Sequence, residues 1–358
     1  MTKLKEHKPS KIEALKAMTP ADRRRAIFDG IMNNAMFIII ALVIIYVAIK
    51  NPRFLSIPSL VNIISLTAAK LPIALGVGGC IILAGTDISA GRQVGLAACI
   101  SAGLQLTTNK LFPGLQIMPI PVVLLCVLVA CALVGFVNGF FMAKFKLHPF
   151  IVTLSTQLIV YGLVLLFMQL GTNGGQTLSG MSEGYRNFII KPLFTLKTSS
   201  GPVTVPRYVL YSTIITAIVW VIWNKTAFGK NMYAVGSNEE AANVSGVNVS
   251  KTIILVFVMA GMLYGITGFM DAARIASVNA TTGLNYEADA IAACVIGGIS
   301  FVGGIGKVSG AIIGVLLLQI IFAGLNFLSV DANYLYIVKG LIILIACSID
   351  MRKYLVRK

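Results

Sequence analysis

Four ionisable side chains lie in stretches of the sequence that otherwise consist mostly of small and apolar residues. Asp87 and Arg92 lie in the glycine-bordered 85–92 stretch, and Glu287 and Asp289 precede a run of small residues. Within a membrane such groups are costly and are candidates for carrying protons or ions or for gating a passage. Two interpretations of the 85–92 stretch are open, a gate at membrane depth or an ordinary turn at the cytoplasmic face.

The spacing of Asp87 and Arg92 predicts how the chain must run there. On one α-helix, side chains five residues apart would be rotated about 140° from each other and could not pair. In a loop between half-helices they could pair, with Asp87 near the positive end of a helix that starts around Ser89. We therefore predict a broken helix and an Asp87–Arg92 ion pair. The full predicted pathway or gate set is Asp87, Ser89, Arg92, Gln93, Asn138, Glu287 and Asp289. For an amide such as Asn138, the alternative is a hydrogen bond between packed helices.

Other chemistry is disfavoured by the residues present. The six cysteines lie in apolar runs without a Cys-x-x-Cys motif, and the two histidines are far apart. This pattern argues against a disulfide framework or a zinc site, and it predicts buried cysteines. The chain also lacks a Gly-x-x-x-x-Gly-Lys-[Ser/Thr] loop for nucleotide phosphates. We predict no catalytic residue, no metal and no cofactor bound by this chain.

A polar run at residues 224–251 separates two apolar runs of membrane-spanning length. Its centre predicts a short helix that ends at Gly246, because glycine readily takes the positive φ that closes a helix. Such a helix would protrude from the membrane and could bind a partner protein; the alternative is an ordinary surface loop. The predicted contact residues are Glu239, Glu240, Ala241, Ala242, Ser245 and Gly246.

Composition indicates a membrane protein. Of 358 residues, 57% are hydrophobic and 12% are charged, whereas soluble domains have about 25% charged residues. Several apolar runs reach the roughly 18 residues that a spanning helix needs. We predict an all-α membrane protein with about ten spans and broken or re-entrant segments. Residues 1–31 form a basic head, and residues 32–358 form the transmembrane domain. Lys70 and Pro72 predict a further kink or break within the second span.

Basic residues indicate the orientation. The net charge is +16, with eight Lys or Arg in the first 25 residues and four in the last seven. The long 171–206 loop carries three. Because cytoplasmic loops are enriched in Lys and Arg, both termini and the 224–251 run are predicted to be cytoplasmic and the 171–206 loop periplasmic. Basic ends next to anionic lipid also explain the charge better than binding to nucleic acid does.

A faint repeat links the two halves of the chain. Gly91-Arg92-x-x-Gly95 is echoed by Gly306-Lys307-x-x-Gly310, and each follows a glycine-rich break and precedes a helix rich in small residues. Related halves with broken helices are common in transporters. The sequence therefore permits two related halves without proving a duplication.

Several motifs together resemble the permease subunits of bacterial ABC sugar importers, in the group that handles ribose and galactose. They are Ala74-Leu75-Gly76-Val77-Gly78, the stretch from Gly85 to Ala98, Trp223 to Thr226, Phe228 to Asn231, Glu240 to Val249 and Asp289 to Val295. The resemblance extends from about residue 32 to the end and favours the galactose branch. The 171–206 loop and the basic head depart from the usual pattern.

The resemblance implies a division of labour. A second copy of the chain would complete the pathway, and a cytoplasmic ATPase with two fused nucleotide domains would hold ATP and Mg²⁺. A periplasmic binding protein would deliver galactose, glucose or a methyl galactoside to this multi-pass protein of the bacterial inner membrane. The segment from Glu240 to Gly246 would be the coupling helix that binds the ATPase. The alternative is an ion-coupled secondary transporter of small polar solutes that needs no ATPase and uses the four ionisable groups instead.

Overall fold

The computed structural model describes residue 19 and residues 35–108, 110–112, 114–171, 173–198 and 201–355. The predicted basic head, apart from Thr19, lies outside the described residues. Within the described part, thirteen α-helices and four short strands are present. The helices are α1 (Ala35–Lys50), α2 (Ile57–Ile82), α3 (Ala90–Gln105), α4 (Ile120–Phe145), α5 (Pro149–Met168), α6 (Glu183–Ile190), α7 (Arg207–Lys225), α8 (Ala227–Ser237), α9 (Glu239–Val244), α10 (Val249–Ile275), α11 (Tyr286–Ile296), α12 (Val308–Phe327) and α13 (Ala332–Leu355).

Among the described residues, six helices are long and apolar enough to cross a membrane: α2, α4, α5, α7, α10 and α12. The predicted helical, multi-pass architecture is confirmed, while the number of ten spans stays a prediction. The helices α3 and α11 have only 16 and 11 residues and adjoin the breaks at 83–89 and 297–307. The two glycine-rich breaks that the sequence predicts, one before α3 and one before α12, are therefore present.

The central helix α2 contradicts the break predicted near Lys70. It runs unbroken from Ile57 to Ile82 with Pro72 inside it. Every residue from Leu71 to Ile82 is buried, and in such surroundings a membrane helix tolerates an internal proline. The Lys70 ammonium is accommodated by the Tyr286 ring, 2.7 Å from the ring centroid, and by Asp271 at 3.8 Å. The sequence pattern could not show these partners, which come from distant segments.

Glycines let α4 and α10 approach closely. A Cβ atom added at Gly135 would meet the Phe257 carbonyl, and one at Gly139 would meet the Ile254 backbone 2.6 Å away. Small residues at such crossings allow membrane helices to gain van der Waals contact along their backbones. The sequence rule that small residues mark packed interfaces therefore holds for this pair.

The segment at 171–206 has its own structure. It contains β1 (Leu178–Ser179), α6 and the hairpin of β2 (Pro192–Thr198) with β3 (Gly201–Pro206). Strand β1 pairs antiparallel with β4 (Ser277–Val278), which follows α10. The Tyr185 hydroxyl of α6 donates a hydrogen bond to the Phe269 carbonyl. These contacts fix the segment against the end of α10.

We predict that Gly135→Leu destabilises the protein by about 1–3 kcal/mol, the usual cost of overpacking. The added side chain would strike the α10 backbone. Thermal unfolding in detergent measures the loss. The matched control is Gly162→Leu on α5, where an added Cβ meets nothing within 4 Å. Equal melting temperatures for the two variants would contradict the tight α4–α10 contact.

Candidate coupling surface and membrane pathway

The protruding helix α9 is defined by its two ends. The Asn238 side chain accepts a hydrogen bond from the Ala241 N–H at 2.9 Å and caps the first turn. At the other end Gly246 has φ +84°, and its N–H donates to the Asn243 carbonyl at 3.0 Å. Val247 N–H donates to the Ala242 carbonyl at 3.0 Å, which completes a glycine-closed helix end. The predicted short helix with a positive-φ glycine is confirmed.

Most of the predicted contact residues are accessible. Glu239, Glu240, Ala241, Ser245 and Gly246 are all exposed. The Ala242 side chain is only 4% exposed, so it packs the helix against the protein and its surface is not available to a partner. An exposed ion pair joins Glu239 to Lys146 at 3.7 Å, and such pairs contribute little to stability.

Sequence reasoning missed Val244, the most exposed apolar side chain of this surface at 90%. A single exposed apolar residue is ordinary on a protein surface, and Val244 adds apolar area near the two carboxylates at the start of α9. Its signal in the sequence is a lone valine between the acidic pair and the closing glycine. Together, Glu239, Glu240, Ala241, Val244, Ser245 and Gly246 form what we name the coupling surface.

The preceding helix α8 connects the coupling surface to the membrane helices. Its start is capped by Thr226, whose hydroxyl accepts a hydrogen bond from the Gly229 N–H at 3.2 Å. Met232 is fully buried. Tyr233 donates a hydrogen bond from its hydroxyl to the Gly306 carbonyl at 3.0 Å, which binds α8 to the 297–307 break.

The end of α8 also touches the end of α2. Gly236 lies so close to Ile82 that a Cβ atom there would overlap the Ile82 carbonyl. The same carbonyl accepts a hydrogen bond from the Gly304 N–H at 2.8 Å. Consequently α2, α8 and the 297–307 break meet at one backbone junction. Helix α9 is therefore connected, through α8, to two membrane segments.

The 83–89 break brings four of the predicted pathway residues together. Ser89 donates from its backbone N–H to Asp87 Oδ1 at 2.9 Å, and its hydroxyl donates to the same oxygen. The Ser89 Oγ accepts from Gln93 Nε2 at 2.9 Å and from Asn138 Nδ2 at 3.0 Å. All four side chains are fully buried. The cluster joins the break, α3 and α4 through one serine hydroxyl.

The predicted Asp87–Arg92 ion pair is wrong. Helix α3 begins at Ala90, so Arg92 lies in its first turn and points away from the Asp87 carboxylate that Ser89 holds. Arg92 Nη1 instead donates to the Ala280 carbonyl at 3.1 Å, and the guanidinium lies 4.1 Å from the centroid of the Tyr161 ring.

The two remaining pathway candidates lie in the first turn of α11 and contact different neighbours. A Cβ atom added at Gly91 would meet the buried Glu287 carboxylate, so this carboxylate lies against the start of α3. Asp289 forms an ion pair with Lys339 of α13 at 2.8 Å. The structure therefore brings Asp87, Ser89, Gln93 and Asn138 into one cluster and leaves the other three outside it.

Metal ligation is not supported within the described part of the chain, where no group of three His, Cys, Asp or Glu side chains could hold an ion. Cys80, Cys99, Cys131 and Cys294 are buried as predicted. Cys126 is exposed, which corrects the prediction for that residue, and Cys347 is partly buried.

We predict that Ser89→Ala destabilises the protein by about 1–3 kcal/mol, because buried polar groups would lose their shared partner. The readout is the melting temperature in detergent. Ser155→Ala on α5 is the matched control, since that exposed hydroxyl only bonds the Ile151 carbonyl of its own helix. A Ser89→Ala protein as stable as the control would show that the cluster contributes nothing to folding.

Comparison with known families finds one match over most of the chain. Residues 59–347 match the family described as "Branched-chain amino acid transport system / permease component". The matched region includes the 83–89 break, the coupling surface and the 297–307 break. No solved structure matches the chain.

Curated relatives cover nearly the whole sequence. The chain is 41% identical to the galactose/methyl galactoside import permease of Haemophilus influenzae over 92% of this chain and 97% of that protein. It is 39% identical to the protein of the same name from Escherichia coli, over 94% and 98% of the two chains. It is 33% identical to the ribose import permease of Haemophilus influenzae, over 89% and 93%. The chain therefore belongs to the family of transport-system permease components, as a relative of these sugar import permeases.

Proposed function

We propose that the chain is the membrane subunit of an ATP-driven importer that carries a monosaccharide delivered by a periplasmic binding protein. Galactose, glucose or a methyl galactoside is the proposed cargo; relatives at 39–41% identity that are named galactose/methyl galactoside import permeases support the first and the last of these. The observation that carries the mechanism is the coupling surface, on an exposed helix that follows α8, whose backbone contacts both the end of α2 and the 297–307 break.

The proposed setting is the bacterial inner membrane, with about ten spans and both termini in the cytoplasm. The bias of Lys and Arg along the sequence supports this orientation. Related halves are supported by the echo of Gly91-Arg92 in Gly306-Lys307, because each motif lies where a helix, α3 or α12, starts after a break. A second copy of the chain would complete the pathway between two such subunits.

The proposed engine is a cytoplasmic ATPase, with two fused nucleotide domains that hold ATP and Mg²⁺. Its cleft would receive the coupling surface, where Glu239 and Glu240 at the start of α9 lie near the exposed Val244 side chain. Closure of the ATPase would displace α9. The displacement would pass along α8 to the Ile82–Gly304 junction and to the 297–307 break, because these parts are joined through their backbones. Rigid helices would convert it into alternate opening of the pathway.

Passage of a neutral sugar needs polar groups that bind it only weakly, since tight binding would slow its release. The Asp87–Ser89–Gln93–Asn138 cluster supports a role as a gate element, because it holds the 83–89 break between α3 and α4. Buried carboxylates also underlie the alternative of ion-coupled transport. Uptake by the chain alone under a proton gradient, without ATP or an ATPase, would favour that alternative.

We predict that Glu240→Lys abolishes ATPase co-purification and lowers ATP-dependent sugar uptake by about tenfold or more. The lysine would meet basic groups of the ATPase cleft that are proposed to pair with Glu240, and a buried like-charge contact costs several kcal/mol. Glu240 is exposed, so the variant should fold and insert normally. Pull-down of the ATPase and uptake of labelled galactose measure the two effects.

The matched control for this variant is Glu183→Lys, an exposed carboxylate in the first turn of α6, within the segment proposed to be periplasmic. It should retain the ATPase. Normal ATPase binding and normal uptake by Glu240→Lys would contradict the proposed coupling role.

A further inference from the structure

The segment at residues 279–285, here called the re-entrant segment, is irregular backbone between β4 and α11. Its backbone hydrogen bonds are short turns, from Thr282 N–H to the Asn279 carbonyl and from Leu284 N–H to the Thr281 carbonyl, each at 3.0 Å. The side chains of Asn279 and Thr281 are exposed. The Asn279 Oδ1 accepts from the Thr281 N–H at 3.0 Å and from its hydroxyl at 2.8 Å.

The segment descends beside α3 from one end of that helix. Val278 of β4 pairs with Leu178 of β1, and nearby Ser182 donates from its N–H to the Gln105 carbonyl at 2.8 Å. This places β4 close to the last residue of α3. Further along, the Thr282 carbonyl packs against Gly95 of the same helix.

Helix geometry gives the depth of this contact. Gly95 lies ten residues before Gln105, or about 15 Å along the helix, and six residues after Ser89, or about 9 Å. Ser89 in turn bonds Asn138, which is about 10 Å from the end of α4 at Phe145 by the same rise per residue. With Gln105 and Phe145 placed at the two faces of a hydrocarbon core about 30 Å thick, the Thr282 end of the re-entrant segment lies near its middle.

Exposed irregular backbone at that depth cannot face lipid, because lipid satisfies no hydrogen bonds; such backbone is tolerated against protein or water. The inner side of the segment is held by protein. Arg92 donates to the Ala280 carbonyl at 3.1 Å, and a Cβ atom added at Gly283 would overlap the Gly91 carbonyl. The outer side presents the Asn279 amide, the Thr281 hydroxyl and the Leu284 side chain, all uncharged.

We infer that the re-entrant segment forms a wall of the water-filled passage, and that the Asn279 amide and Thr281 hydroxyl hydrogen-bond the hydroxyl groups of a neutral sugar in transit. The inference rests on the proposed function for its cargo. A wall of amide and hydroxyl groups suits a polyhydroxylated solute, because each contact exchanges with water at little net cost.

The test is thiol accessibility in the assembled transporter, using Thr281→Cys in a background with Cys126 and Cys347 replaced by alanine. A charged, membrane-impermeant methanethiosulfonate is the probe. Ser155→Cys is the control, since Ser155 lies on an exposed apolar face of α5 with Leu158 and Ile159. We expect Thr281→Cys to react about tenfold faster or more, because hydrocarbon excludes a charged reagent. Galactose with its binding protein and ATP should slow the reaction.

Reaction of Thr281→Cys no faster than the control would overturn the inference, as would reaction only after detergent separates the two copies. A second pair of variants tests the sugar contact. Thr281→Val should lower uptake several-fold while ATPase binding is kept, and Thr281→Ser should restore uptake. Normal uptake by Thr281→Val would overturn the contact.

Failure of the proposed passage and failure of the proposed function would give different results. Sugar import by an unreactive Thr281→Cys transporter would refute the passage and leave the proposed function standing. A reactive Thr281→Cys residue, together with a transporter that imports no monosaccharide even when Thr281 is unchanged, would support the passage and refute the proposed cargo.

Discussion

The carbonyl oxygen of Ile82 is the point on which the arrangement of the chain depends. It ends α2, accepts the Gly304 N–H and lies against Gly236, where any side chain would overlap it. One contact between backbones therefore joins α8, which is not a candidate span, to α2 and to the 297–307 break. Contacts of this kind are stiffer than contacts between long side chains, because no rotamer can relax them.

The same physical device recurs deeper in the membrane. Gly91, Gly95 and Gly283 let the re-entrant segment lie directly on α3, and Gly135 and Gly139 let α10 lie on α4. Where backbones approach this closely, a few polar side chains can organise a large region. Ser89 does so at the 83–89 break, since its single hydroxyl binds three side chains from the break, α3 and α4.

Local features of the sequence predicted local structure well. Asn238 and Gly246 define α9 as expected, because capping depends on residues only a few positions apart. Glycines around 85–91 likewise predicted the interruption before α3. The resemblance of the membrane motifs to permease subunits agrees with the family match over residues 59–347.

Features that depend on distant partners were missed or wrong. The Arg92 side chain binds the Ala280 carbonyl because α3 starts at Ala90 and Ala280 lies next to the first turn of that helix. Neither fact can be read from the 85–92 stretch alone. The environment of Lys70 within the unbroken α2 is set by Tyr286 and Asp271, which come from distant parts of the sequence. Residues 279–285 follow the β1–β4 pairing, which joins two segments that are about 100 residues apart in the sequence.

The central claim is that the coupling surface and the 297–307 break move as one body. Spin labels at Val244→Cys and Val302→Cys, both exposed positions, would report their separation by pulsed electron paramagnetic resonance. The measurement uses the complete transporter lacking the accessible native cysteines, with and without ATP. The account predicts an unchanged distance within each chain while the distance between the two Val244→Cys sites shifts. A distance within the chain that changes on ATP binding would contradict it.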